Sequence, residues 1–144
     1  MREIRTQTTI AASPERVWNI LMDFAAFPEW NPFVRSISGT MRQGSTLEVH
    51  IQPPGRKVSM FRPTVRVVEP NRELRWLGRV LVPGLFDGEH QWKLEPMSES
   101  STRFIHAERF TGVLVPFFGT LFADSERGFE AMNRALKERA ERGM

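Results

Sequence analysis

Cysteine and tyrosine are absent from this chain of 144 residues, and histidine occurs only three times. Without cysteine there is no disulfide, no thiolate metal ligand and no thiol nucleophile, a composition that fits a reducing compartment. Lysine is scarce too, 3 residues against 17 arginines. That imbalance explains the sequence pI of about 10.2 at a net charge of only +3, because little besides lysine titrates between histidine and arginine. The arginines are scattered among acids and form no stripe, so nucleic acid is not an expected partner. No apolar run approaches the ~20 residues of a membrane span, and the N-terminus lacks the apolar core of a signal peptide. A cytoplasmic protein without stable membrane insertion is expected. There is no phosphate-cradling loop, no serine nucleophile elbow and no cofactor fingerprint, which excludes nucleotide-dependent chemistry and leaves no cofactor to expect.

What is present is a chain of ordinary globular composition, 40% apolar and 26% charged, long enough to bury a substantial core. Residues 1–144 read as one domain, with no internal repeat or linker. Its C-terminal stretch carries Phe118, Phe122, Phe129, Met132 and Leu136 at helical spacing, with the small Ser125 between them, while the charged residues fall on the opposite face. A helix of roughly 25 residues, about 37 Å long, follows, and it needs a broad apolar partner. Gly128 lies near the middle of that helix at a cost of about 1 kcal/mol relative to alanine, which implies close backbone approach or spared volume.

The preceding chain supplies a sheet. Residues 2–11 form a polar, Thr-rich strand candidate. Ser13-Pro14-Glu15 starts a short helix, and 24–33 holds a second helical turn stopped by Pro28. The pattern then changes to period two. Strands are expected at Val34 to Ser38, 46–51 (Leu47, Val49 and Ile51 on one face), 57–69 (Phe61, Val65 and Val67 on one face), 73–79, 89–97 and 102–111. Pro63 inside the third of these implies an edge or a bulge. With the N-terminal strand this gives an α+β domain: a seven-stranded curved antiparallel sheet wrapped around the long C-terminal helix, with two short helices after the first strand.

That order, with the 10–18 opening Ile10-Ala11-Ala12-Ser13-Pro14-Glu15-Arg16-Val17-Trp18, the Phe24 to Trp30-Asn31-Pro32 segment, Leu74-Arg75-Trp76, Gly88-Glu89-His90 and Phe104 to Gly112, resembles the START-like, Bet v 1-like superfamily (SRPBCC), the polyketide cyclase/dehydrase and lipid transport group. The resemblance covers essentially the whole chain. It implies a helix-grip fold with a hydrophobic tunnel between sheet and helix. Members bind lipids, hormones, flavonoids or polyketides, and a minority catalyse cyclisation or dehydration. Function varies widely across such a fold, so the residues themselves must carry the argument.

Alternation places Phe86, Gly88, His90, Trp92 and Leu94 on one face of their strand, and Phe104, His106, Glu108 and Phe110 on one face of the next. The other face of the second, including Ile105 and Ala107, is expected outward. His90, His106 and Glu108 therefore point into an apolar interior, where a lone charge is expensive. Three readings stay open. They form a satisfied hydrogen-bonded cluster, they anchor a polar ligand, or Glu108 orients His106 or His90 as a general base. The spacing His106-x-Glu108 puts two donors on one face about 7 Å apart, and no further ligand motif supports a metal site, so none is expected. Trp76, Trp92, Phe104, Phe110, Phe122, Ser125, Phe129 and Met132 are the expected apolar and small wall of a pocket beside that triplet. Arg62 and Arg66 are expected in solvent, and Asn31 is read as a turn residue. The apolar loops 80–86 and 112–118 suit a pocket mouth, a membrane-facing gate, a homodimer contact or mutual packing that closes one end of the grip.

The sequence thus points to binding of a hydrophobic small molecule of lipid, polyketide or aromatic type. The alternatives are a cyclase/dehydratase-type enzyme using the same groups, and an interaction module.

Overall fold

The computed structural model describes residues 1–79 and 82–142. Strand β1 (Arg2–Ile10) leads to α1 (Pro14–Met22), a 3-10 turn at Phe24–Ala26 and the one-turn helix α2 (Phe27–Trp30). Strands β2 (Val34–Ser38), β3 (Glu48–Ile51), β4 (Ser59–Phe61) and β5 (Thr64–Glu69) follow. After β6 (Glu73–Arg79), β7 (Asp87–Ser98) and β8 (Ser101–Thr111), a second 3-10 turn at Val115–Phe117 enters α3 (Gly119–Glu141).

Local chemistry accounts for the first turns. Ser13 Oγ accepts from the Arg16 amide at 3.1 Å, and Pro14 sits where a helix needs no N–H. Asn31 Oδ1 accepts from the amides of Phe33 and Val34 at 3.0 and 2.8 Å, which turns the chain from α2 into β2.

The strands form two antiparallel layers, β1-β8-β7-β6-β5 and β2-β3-β4. There are eight strands among the described residues, where seven were expected, because the expected strand 57–69 breaks between β4 and β5 at Arg62 and Pro63. Proline has no N–H to give a ladder. Its carbonyl instead accepts from Leu47 N at 2.9 Å, and Val65 exchanges bonds with Ser45 and Gly44, so residues 44–47 join the two layers into one curved wall. A bulge between Val65 and Val67 shifts the pleat, and Val68, not Val67, packs on the core opposite Leu74. Ile105 and Ala107 are buried as well, contrary to the outward expectation. β8 is a central strand, and register sets Gln7 and Lys93 beside Ile105, and Arg5 and Gln91 beside Ala107. Long polar side chains on flanking strands shield small apolar neighbours with their stems.

Helix α3 lies on this wall with Phe122, Ser125, Gly128, Phe129, Met132, Asn133, Leu136 and Ala140 buried. Its two ends are held differently. At the C-terminus Arg16 donates to the carbonyls of Ala140 and Arg142 at 2.6 and 2.9 Å, and Glu141 accepts from the Ala11 amide at 2.8 Å. At the N-terminus no side chain caps the helix, and Phe118, the first residue of the expected apolar stripe, is 38% exposed. Mid-helix, the ring of Phe33 stands against Gly128, so that an added Cβ would collide with its ring carbons, and the same ring packs edge-on to Phe129 at 5.3 Å. The spared volume at Gly128 is therefore filled by Phe33.

Gly128→Ala tests this. Helix propensity alone would make alanine better by about 1 kcal/mol, while overpacking against Phe33 costs about 1–3 kcal/mol. Urea unfolding should show a net loss of roughly 1 kcal/mol, and a more stable variant would contradict the packing described.

Candidate functional site

The inner face of the five-stranded layer is written in rows. Register places Trp76, His90 and Glu108 side by side on β6, β7 and β8, and Gly78, Gly88 and Phe110 in the next row. Two glycines facing each other on adjacent strands leave the sheet bare at that point. Glu108 uses the space, since a Cβ on Gly88 would collide with Glu108 Oε2. The ring of Trp76 stacks on His90, centroids 4.7 Å apart and planes 22° apart.

The bare patch is the floor of a cavity of about 150 Å³. Trp76, His90, Glu108 and Phe110 rise from the sheet around it, and Phe33, Val34, Ile51 and Phe61 close it from the smaller layer. Phe86, Leu121 and Ser125 complete the wall, with Arg79 at the rim. The volume matches a cavity that holds one benzene-sized ring. It falls below the roughly 300–1,000 Å³ of sites for drug-sized ligands.

Beside the cavity the histidines are joined to a chain of polar groups that runs from the buried interior to the half-buried Thr6. His90 Nε2 meets His106 Nε2 at 2.7 Å, and His106 Nδ1 meets Asn133 Oδ1 at 3.0 Å. Asn133 Nδ2 donates to Thr6 Oγ1 at 2.8 Å, and Thr6 Oγ1 donates to the His106 carbonyl at 2.9 Å. Trp92 Nε1 donates to His106 Nε2 at 3.3 Å. The ring of Phe129 covers His106 face to face at 3.9 Å. Burial drives the pKa of His106 down to about 3 against the opposing effect of its bond to Asn133, and burial followed by repulsion from His106 pushes His90 well below its usual value. Both are neutral at pH 7. Glu108 moves the other way, up to about 8, because burial disfavours its anion. Although the residue as a whole is only half-buried, its carboxyl has no hydrogen-bond or ion-pair partner among the described residues.

The expected Glu108–histidine bond is thus not formed. Glu108 and His90 are cross-strand neighbours on the cavity, and the histidines bond to each other and to Asn133. Of the expected wall, Trp76, His90, Glu108, Phe110 and Ser125 line the cavity. Trp92, Phe104, His106, Phe122, Phe129 and Met132 do not. They are buried in the core between the sheet and α3. Asn133, Thr6, Gly78 and Arg79 were not expected. Thr6 shares the parity of the buried Ile4 and Ile10, and Asn133 lies four residues after Phe129, so both carried a periodic signal. Arg79 carried none, since alternation points it outward; it pairs with Asp87 at 3.6 Å where β6 ends.

The apolar loops pack on each other in part. Val113 and Leu114 amides donate to Gly84 and Leu85 carbonyls at 3.1 and 3.0 Å, and Phe86 meets Phe118 at 4.9 Å. Val82, Val113 and Phe117 remain 54%, 69% and 78% exposed, and Val80 and Leu81 of the expected loop lie outside the described residues.

These shifts predict the pH dependence of stability. Between its ordinary 4.5 and about 8, Glu108 keeps in the folded state a proton that the unfolded chain has released, so its contribution declines as pH rises through that window. The histidines act oppositely, since below 6.5 the unfolded chain takes up protons that folded His106 refuses until about 3. Their contribution is lost as pH falls. The stability of the protein minus that of its Glu108→Gln variant, read from urea midpoints, should fall from pH 5 to pH 8. A flat or rising difference would contradict a protonated Glu108.

Comparison with known proteins agrees with this architecture. The family described as polyketide cyclase/dehydrase and lipid transport matches residues 1–141. No curated protein matches the sequence. Among solved structures, the chain is similar to the Zhui aromatase/cyclase from Streptomyces sp. R1128, with a TM-score of 0.79, 18% identity and coverage of 98% of this chain and 94% of that one. It is also similar to a START superfamily protein from Mycobacterium smegmatis, with a TM-score of 0.77, 20% identity and 99% of each chain covered. At such identities the likeness speaks for the fold alone. The helix-grip architecture and the match along nearly the whole sequence together make this chain a member of the polyketide cyclase/dehydrase and lipid transport family.

Proposed function

We propose that the protein binds a hydrophobic small molecule in the cavity between α3 and the sheet, with an aromatic ring between Trp76 and the phenylalanines and an oxygen facing Glu108 and His90. The observation that carries this reading is the unpaired carboxyl of Glu108 on the wall of an apolar cavity. The carboxyl is open to the cavity and not sealed from solvent, and a ligand oxygen would take the place of water as its hydrogen-bond partner. Protonated at neutral pH, Glu108 is a hydrogen-bond donor there and suits a neutral carbonyl or hydroxyl. The facing glycines support the same reading, because any side chain at Gly88 would take the space that Glu108 and a ligand need. The cavity volume favours a single ring, or one end of a longer molecule that extends past Arg79 to the rim.

One observation favours a second reading as an enzyme of the cyclase/dehydratase type. A protonated acid and a neutral imidazole, Glu108 and His90, border the same cavity as register neighbours, the arrangement general acid–base catalysis requires. In that reading His90 is the base. His106, whose ring nitrogens both bond inside the protein, positions it.

Thermal-shift titration with one- and two-ring aromatic alcohols and ketones, and in parallel with fatty acids, tests the binding. The aromatic compounds should raise the melting temperature, and Glu108→Leu should weaken the effect of the oxygenated ones by about tenfold in apparent affinity, within the worth of one buried hydrogen bond. No shift with either class, together with an empty protein in native mass spectra, would overturn the proposal.

A further inference from the structure

The polar chain beside the cavity has a direction, and that direction fixes which face His90 shows a ligand. It starts at the backbone. The carbonyl of His106 can only accept, so the hydroxyl hydrogen of Thr6 points to it at 2.9 Å. Thr6 Oγ1 then has only lone pairs for Asn133, which must turn its amino group toward Thr6 at 2.8 Å. The amide oxygen of Asn133 consequently faces His106 Nδ1 at 3.0 Å, and Nδ1 must carry the hydrogen. A neutral imidazole holds one hydrogen, so Nε2 of His106 is a bare lone pair. Trp92 gives an independent check. Its indole N–H can only donate, and it donates to that same Nε2 at 3.3 Å. His90 Nε2 approaches the same atom at 2.7 Å and must also be a donor. The hydrogen of His90 is thereby spent, and its Nδ1 is a lone pair with no partner among the described residues, on a ring that lines the cavity.

We propose that Asn133, braced by Thr6 and helped by Trp92, locks the two buried histidines in one tautomeric arrangement, so that His90 meets the cavity as a hydrogen-bond acceptor and selects ligands that present an O–H or N–H there. Asn133 and Thr6 are positioning residues that never touch the ligand. His106 is fully buried and Asn133 3% exposed, so water does not compete for the bonds that His106 makes to Asn133, Trp92 and His90, while Thr6 braces Asn133 from the half-buried end of the run. The selection half of the proposal rests on the cavity being a ligand site. The tautomer half does not.

Two measurements separate them. A long-range proton–nitrogen correlation spectrum of the 15N-labelled protein at pH 7 reads each ring directly. His106 should carry its hydrogen on Nδ1 and His90 on Nε2. The opposite assignment for either ring, or an averaged mixture, would overturn the lock. Calorimetric titration with phenol and with toluene, which differ in the donor, then reads the selection. Asn133→Leu should reduce the preference for phenol relative to toluene by about fivefold, in keeping with one hydrogen bond, while Asn133→Asp, which accepts from His106 Nδ1 and, once the Thr6 hydroxyl turns, from Thr6, should keep the hydrogen of His106 on Nδ1 and with it the preference. A preference unchanged in Asn133→Leu overturns the selection, as does failure of Asn133→Asp to keep it should the leucine variant not fold. If neither compound binds the native protein, the ligand reading of the cavity and the selection fall together, and the spectrum alone decides the lock.

Discussion

The hydrogen-bonded run from Thr6 through Asn133 and His106 to His90 is the constraint on which the rest of the interior depends. It crosses from β1 to α3, back to β8 and on to β7, so it fixes the rotation of α3 over the sheet. Apolar packing alone would tolerate small rotations of such a helix, because hydrophobic contact has no direction. Buried hydrogen bonds do not, since each unmade one leaves a polar group dry. With Asn133 over His106, Phe129 falls flat on the His106 ring and Ser125 comes to the cavity wall. The same rotation brings Gly128 against Phe33.

The cavity lies where this packing ends. On the side of Asn133 the sheet and helix meet through Phe104, Phe129, Met132 and Leu136, all fully buried. Toward the N-terminus of α3 the facing side chains run out. Gly78 and Gly88 remove two from the sheet, and Ser125 is small where a large residue would fill the gap. Energetically the two regions are opposites, a satisfied polar network in one and an unpartnered carboxyl in the other. The tied C-terminal end of α3 and its uncapped N-terminal end follow the same division, and the less constrained end borders the opening.

Much of this was legible in the sequence. The helical stripe of α3, the pleat of β7 and β8 and the inward turn of His90, His106 and Glu108 follow from periods of 3.6 and 2, which are properties of the backbone. What periodicity cannot supply is register. Whether Glu108 or His106 is the cross-strand neighbour of His90, and whether Gly88 lies opposite Gly78 or opposite a side chain, is decided by the offset between strands. Glu108 was expected to bond a histidine; register does set it beside His90, but Nε2 of that ring is turned to His106 instead. Asn133 and Thr6 show a different limit. Each is a polar residue at an inward position of an element that the sequence does show, and neither has meaning without the other. The division of the wall from the core, with Phe104, Phe122, Phe129 and Met132 in the core, depends on the two facing glycines and so on register again. The break at Pro63 was visible as a proline and not as the join between two layers, because the partner segment 44–47 lies far away in the chain.

The claim that the unpaired Glu108 and the bare nitrogen of His90 await a ligand oxygen is tested most directly by a crystal structure of the protein grown with phenol. The account predicts density for one ring against Trp76, with its oxygen within hydrogen-bond distance of both Glu108 and His90 Nδ1. A cavity closed by movement of Phe61 or Phe86, or a ring with its oxygen turned toward Arg79 and away from both groups, would contradict it.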